Sequence, residues 1–174
     1  MKWRSGAGFC AVLAIVGLVN SLLHEGVHWL TGVALGHQIV FGLNIVRATG
    51  SISPGDAMLI AAAGPAFTLL LGIVAFVIFR RTGSSIAFSF VLWAAFMRLV
   101  AWGISFVSPN DEARVGVALG VGPWVLHALV SAILVGLAIS AILRRGSSWT
   151  ELGLAYLVLS GVTAAIVFGD QAMA

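Results

Sequence analysis

The residues best suited to chemistry in this sequence are two histidines four positions apart with a glutamate beside the first. The segment reads His24-Glu25-Gly26-Val27-His28, an HExxH pattern. Residues four apart on an α-helix share a face, so both imidazoles can bind one metal ion. Glu25 then projects beside them, where its carboxylate can take a proton from a metal-bound water. The motif predicts zinc-hydrolase chemistry.

A catalytic zinc site needs a further ligand, because such sites usually use three protein ligands and leave one position for water. Asp111 and Glu112 follow Pro109-Asn110, a pattern typical of a helix N-terminus, from which an acid can point into a bundle. Either residue could be the third ligand. The remaining candidates are supported only by their residue type: His37, Asp56 and His127.

The composition around this motif is that of a membrane protein. Of 174 residues, 60% are hydrophobic and 9% are charged, and the mean hydropathy is +1.10. Soluble domains carry about 25% charged residues, so a water-soluble enzyme is excluded. The few scattered charges also exclude a nucleic-acid-binding face, although the pI is near 10.0. The single cysteine, Cys10, cannot form an internal disulfide.

Five apolar stretches are long enough to cross a bilayer, which takes about 20 residues. The fourth stretch is long enough to tilt, to kink at Gly122-Pro123 or to include an interfacial turn. We therefore predict an all-α membrane protein with about five transmembrane helices in a single domain, residues 1–174. The five stretches are residues 6–23 (continuing past the motif to about 35), 57–79, 84–107, 115–143 and 152–169.

Clusters of basic residues predict the orientation, because loops rich in Lys and Arg face the cytoplasm. If five helices alternate, three such clusters fall on one side. This predicts a multi-pass protein of the cell membrane with a cytoplasmic N-terminus. No small-x-small cleavage site follows the first apolar run, so we expect that run to be kept as a span. The clusters are Lys2 with Arg4, Arg80-Arg81 and Arg144-Arg145.

The connection between the first two spans has a different pattern. Positions 39, 41, 43 and 45 are apolar, which is the period of two expected of a strand. A turn-rich tract follows at residues 50–55. We predict a short hairpin or a re-entrant ribbon at the membrane surface.

Other polar and small residues within the spans also predict contacts. Arg98 is costly in lipid, so it should pair with an acid or face a site. The small residues around Gly64-Pro65 predict close approach to the HExxH helix. His127 is expected to hydrogen-bond within the bundle rather than to bind metal. Residues that could line an entry for water are Asn20, Ser21, Thr68 and Asn110.

Together these motifs resemble the site-2 protease family of intramembrane zinc metalloproteases. In that family an HExxH helix, a later Gly-Pro motif and an Asp near the start of a further helix form the active site. Here Gly64-Pro65 resembles the family's Gly-Pro motif and Asp111 resembles its aspartate, with Glu112 as the open alternative. The resemblance implies that Zn²⁺ is bound by His24, His28 and Asp111, with Glu25 as general base. Candidates for substrate binding or helix approach are Gly64, Pro65, Thr68 (where the family usually has Asn) and Asn110.

The resemblance also implies the reaction, which is hydrolysis of a peptide bond in a membrane-embedded protein substrate. Such a substrate must unwind locally, and docking as an added strand on residues 38–46 would replace its lost hydrogen bonds. The alternative is a non-proteolytic membrane protein that keeps the metal for structure or for a partner. A metal or proton transporter is less favoured, because the sequence has no internal repeat of the kind common in transporters.

Overall fold

A computed structural model describes residues 6–173 and contains, within them, six helices and one small sheet. Five of the helices are long and apolar enough to cross a membrane, and α4 is the short exception. The predicted class, a helical membrane protein with about five spans, is confirmed. Lys2 and Arg4 lie outside the described residues. The helices are α1 (Gly6–Ala34), α2 (Pro54–Thr82), α3 (Ser85–Ile104), α4 (Asp111–Ala118), α5 (Val125–Arg145) and α6 (Trp149–Met173).

The fourth apolar stretch, predicted at residues 115–143, is divided by a turn. Helix α4 ends at Ala118 and α5 begins at Val125. In the turn, Gly120 and Gly122 have φ angles of 73° and 84°, in the left-handed region that glycine adopts without steric cost. Of the three expectations for this stretch, the turn is the one found, and it makes α4 a separate short helix.

A two-stranded antiparallel hairpin follows α1, as predicted. It consists of β1 (Ile39–Val40) and β2 (Arg47–Ala48), with Ile39 opposite Ala48. The strands are shorter than the alternating run at 39–45, because residues 41–46 form the loop between them. Part of this loop bonds to a helix instead of a strand: the Leu43 amide donates to the Asp170 carboxylate at 2.7 Å.

Helix α3 lies at the centre of the bundle and packs against α1, α2 and α5. Its Phe88, Val91 and Trp93 side chains are buried. The Trp93 ring lies so close to Gly17 of α1 that a Cβ there would collide with it. Helix α1 also packs against α2 and α6, while α4 packs against α2 and α5. This arrangement brings α1, α2 and α4 together around the HExxH segment.

The basic residues that follow two of the spans share one end of the bundle. Arg144 donates from Nη2 to the Arg80 carbonyl at 3.1 Å, which joins the ends of α5 and α2. Arg145 lies over the rings of Phe9 and Phe88, near the starts of α1 and α3. The hairpin, the start of α2 and the start of α4 lie towards the other end.

Candidate metal centre

Three side chains from two helices converge at one point near the non-basic end of the bundle. The Nε2 atoms of His24 and His28 are 3.2 Å apart. Oδ2 of Asp111 lies 3.6 Å from His24 Nε2 and 3.3 Å from His28 Nε2. These are the residues that could together hold a metal ion in the part of the chain that the structure describes. The HExxH helix α1 supplies two of the three and the first residue of α4 supplies the third.

The spacing of these atoms fits a tetrahedral ion the size of zinc. Zinc–nitrogen and zinc–oxygen bonds are about 2.0–2.2 Å, so two ligands of a tetrahedral zinc lie about 3.3–3.6 Å apart. The three observed distances of 3.2, 3.3 and 3.6 Å agree with this. Three ligands leave one tetrahedral position open, as catalytic zinc sites typically do.

The opposite nitrogen of each imidazole is held by α2. The Ile60 carbonyl accepts a hydrogen bond from His28 Nδ1 at 2.6 Å. His24 Nδ1 lies 2.9 Å from the Thr68 hydroxyl. A carbonyl only accepts, so the proton of a neutral His28 sits on Nδ1 and the Nε2 lone pair faces the other two ligands. Such outer contacts orient metal-binding histidines and make them better ligands.

Gly64 allows the imidazoles to approach α2 this closely. A Cβ at this position would collide with Nε2 of His28 and with the ring of His24. Pro65 is buried next to it within α2. Gly64 thus allows α1 and α2 to approach closely, and Thr68, one turn later, contacts a histidine. Neither observation assigns these residues to substrate binding.

Asp111 is fixed at the start of α4 by its neighbours. The Asn110 side chain accepts a hydrogen bond from the Asp111 amide at 2.9 Å and so caps the helix. Arg114 donates to Oδ1 of Asp111, which leaves Oδ2 facing the histidines. Burial raises the pKa of Asp111, but the neighbouring His24 and His28 outweigh burial and hold the pKa well below its usual range. With Oδ2 facing both imidazoles, the carboxylate is placed to act as a ligand.

The other candidate ligands are engaged elsewhere. Glu112 accepts a hydrogen bond from Arg98 of α3 inside the bundle. His127 hydrogen-bonds through Nε2 to the Ser105 hydroxyl at 2.8 Å, and its Nδ1 lies 3.8 Å from Glu112. The remaining two candidates pair with each other, since His37 Nε2 is 3.0 Å from Asp56 Oδ2. The sequence left either Asp111 or Glu112 as the third ligand. In the structure Asp111 lies next to the two histidines, whereas Glu112 pairs with Arg98.

A small cavity lined by both polar and apolar side chains adjoins the metal centre on the Glu25 side. Its volume is about 30 Å³, which is enough for one or two water molecules. Buried polar atoms without a hydrogen-bond partner in the structure surround it, among them Asn20 Oδ1 and Trp93 Nε1. Asn20, Ser21 and Thr68, which were expected to line an entry for water, line this cavity. Asn110, the fourth such residue, caps α4 instead. The lining includes Asn20, Ser21, His24, Glu25, Thr68 and Arg98.

The sequence did not point to two groups of contacts at this site. Arg114 holds Asp111, and the Ile60 carbonyl holds His28. A signal for the contact with Ile60 was present, because positions 60, 64 and 68 are spaced by four and therefore share one face of α2. Arg114 was detectable as a basic residue three positions after Asp111 on a helix.

Comparison with known proteins gives no relative. The chain matches no family model, no curated protein and no solved structure.

Proposed function

We propose that the protein is an intramembrane zinc metalloprotease that hydrolyses a peptide bond in a membrane-embedded protein substrate. The observation that carries this proposal is the convergence of His24, His28 and Asp111 at the spacing of a tetrahedral zinc site. The likeness of the motifs to the site-2 protease family supports the same conclusion. His24, His28 and Asp111 are the proposed ligands.

Glu25 is the proposed general base. When bound, zinc lowers the pKa of a coordinated water towards 7 and polarises the scissile carbonyl. Glu25 follows His24 directly and lines the cavity, where its carboxylate can accept the proton of the attacking water. It then gives this proton to the leaving amine. Asn20 and Ser21 lie on the wall of the same cavity and can hold water in reserve.

The proposed substrate docks as a strand near the hairpin. Leu43 and Asn44, from the hairpin loop, line the cavity beside Glu25. A substrate segment that paired with β1 and continued along the 41–46 loop would therefore run next to the proposed base. Main-chain pairing would also replace the helical hydrogen bonds that the substrate loses when it unwinds.

We also infer that the N-terminus faces the cytoplasm. The shared end of α2 and α5 carries Arg80, Arg81, Arg144 and Arg145, and such clusters are retained on the cytoplasmic side. The metal centre then lies in the outer half of the membrane. A reporter fused at the 83–84 turn should report the cytoplasmic side and one fused at the 108–110 loop the outer side; the reverse result would contradict this orientation.

The function is tested with purified protein and Glu25→Gln. Wild type is incubated with a panel of tagged single-span membrane proteins, with and without a chelator. We expect shorter products from wild type with zinc and none from Glu25→Gln, which retains its zinc content by elemental analysis. Glu151→Gln, at the basic end of the bundle, is the matched control and should cleave normally. Cleavage by Glu25→Gln, or cleavage that survives zinc removal, would refute the proposal.

A non-proteolytic metal-binding protein would use the same ligands. The position of Glu25 at a cavity large enough for water favours hydrolysis, since a purely structural metal needs neither an adjacent carboxylate nor space for water. A transporter is not favoured, because the buried ionisable residues that could form a transport path, Arg98, Glu112 and His127, contact one another instead. If wild type binds zinc and cleaves nothing in the panel, the non-proteolytic function becomes the better explanation.

A further inference from the structure

Asp111, the third proposed ligand, lies on α4, a helix too short to be stable without contacts to the rest of the bundle. Helix α4 has 8 residues, and isolated helices below about 12–15 residues are marginal in water. Its first residue, Asp111, must nevertheless lie within a few tenths of an ångström of a fixed point on α1 to be a ligand. Contacts with the rest of the bundle must therefore set both the depth and the rotation of α4.

The strongest of these contacts is a buried ion pair one residue after Asp111. Glu112 is 2% exposed and Arg98 is 4% exposed, and the two side chains are hydrogen-bonded to each other. Each charge is costly in a membrane without its partner. His127 of α5 approaches the same carboxylate. Glu112 is thus held between α3 and α5.

The geometry of a helix connects this ion pair to the metal centre. Neighbouring residues on a helix point about 100° apart. When Glu112 points to Arg98, Asp111 is turned towards α1, as the 3.3 Å and 3.6 Å distances to its histidines show. A rotation of α4 that moved Asp111 away would pull Glu112 off Arg98. Buried polar pairs are best attested as devices of this kind, which select one register at no gain in stability.

We propose that Arg98 and Glu112 are positioning residues for the metal centre: their ion pair sets the rotation of α4 so that Asp111 can bind the metal. This inference rests on the proposed metal site but not on proteolysis. The rival explanation is that the pair only stabilises the bundle. The two explanations differ when both charges are removed together, because replacing a buried ion pair by apolar residues is often neutral or stabilising.

The test compares wild type with the double variant Arg98→Met/Glu112→Met. The matched control is Arg145→Met/Glu151→Met, which removes an ion pair of 3.7 Å at the basic end. Two properties are measured on purified protein: thermal unfolding without metal, and the affinity and visible absorption of bound Co²⁺. Co²⁺ is the probe because its absorption is strong in four-coordinate sites and weak in six-coordinate sites.

We expect the double variant to unfold near the wild-type temperature yet to bind Co²⁺ about 10–100-fold more weakly, the usual effect of losing an outer contact. Its four-coordinate absorption should fall as well. The control should keep the Co²⁺ affinity and absorption of wild type, even where loss of the Arg145 contacts with Phe9 and Phe88 lowers its unfolding temperature. Wild-type affinity and absorption in the double variant would overturn the inference. Failure of wild type itself to bind Co²⁺ would overturn the metal site, and with it this role of the pair.

A further variant covers the case in which the double variant does not fold. Glu112→Asp keeps the charge but shortens the side chain by one methylene, so the pair can form only if α4 shifts. We expect weaker Co²⁺ binding than in Glu151→Asp, the matched control. Unchanged Co²⁺ affinity in Glu112→Asp would also overturn the inference.

Discussion

Replacing Gly64 by alanine should displace both imidazoles and weaken the metal centre. The added Cβ would occupy the space of Nε2 of His28 and of the ring of His24. These atoms belong to side chains, so the rings can swing away while the helices stay in place. The displaced rings then lose their α2 partners, the Ile60 carbonyl and the Thr68 hydroxyl.

The substitution acts on two different quantities. Alanine in a helix interior is favoured over glycine by about 1 kcal/mol, but two off-rotamer imidazoles cost about 1–3 kcal/mol and their two lost hydrogen bonds about 1–3 kcal/mol more. The free energy of unfolding without metal should therefore fall by about 1–5 kcal/mol. Loss of one outer contact weakens metal binding about 10–100-fold. With both histidines displaced, we expect at least about 100-fold, or about 2.7 kcal/mol.

The assay is competition for zinc between the protein and a chromophoric chelator, with thermal unfolding measured in parallel. Gly26→Ala is the matched control, because Gly26 lies within the same HExxH segment and a Cβ there meets nothing within 4 Å. It should bind zinc as wild type does. If Gly64→Ala also bound zinc with wild-type affinity, the imidazoles could not lie against α2 in this way, and the reasoning would be wrong.

Three further outcomes are expected. Thr68→Val keeps the shape of the side chain but loses the hydrogen bond to His24, so zinc affinity in the chelator assay should fall about tenfold or more. Thr68→Ser retains the hydroxyl and should bind zinc as wild type does. Equal affinities in the two variants would contradict a role for the hydroxyl. Zinc at 100 times its Kd stabilises a protein by about 2.7 kcal/mol. A chelator should therefore lower the unfolding temperature of wild type but not that of Asp111→Ala. An equal shift in both proteins would show that Asp111 is not a ligand. Asp170→Ala removes the acceptor of the Leu43 amide, so limited proteolysis within the 41–46 loop should become faster. Asp170→Asn retains an acceptor and should be cut at nearly the wild-type rate. Equal rates for the two variants would show that this hydrogen bond does not hold the loop.

The sequence alone was sufficient for the membrane helices because their signal is local. A span must be an apolar run of about 20 residues, and charges mark where it stops. The same criterion could not separate α4 from α5, since no Asp, Glu, Lys or Arg interrupts residues 115–143. The left-handed glycines Gly120 and Gly122, followed by Pro123, divide that run. The short hairpin was predictable in kind but not in length, because the Leu43 amide bonds to a carboxylate 127 positions away.

For the metal centre, the sequence could identify which residues share a face but not which faces meet. The spacing of His24 and His28 places both imidazoles on one side of α1. Asp111 and Glu112 are equally acidic and adjacent, so residue type could not choose between them. The choice depends on Arg98, which faces Glu112 from a different helix. That contact is a property of the packed bundle and has no signature within residues 108–114.

A pattern of matched rows explains why the centre forms where α1 meets α2. Asn20, His24 and His28 follow one another at intervals of four on α1. On α2 the corresponding row is Ile60, Gly64 and Thr68, and the two helices run in opposite directions. His28 therefore meets Ile60, His24 meets Thr68, and Gly64 leaves room for both rings. Rows spaced by four are also the ridges by which helices commonly pack. The packing of α1 on α2 and the orientation of the two imidazoles thus depend on the same contacts. A change that disturbs this packing should therefore also displace the metal ligands.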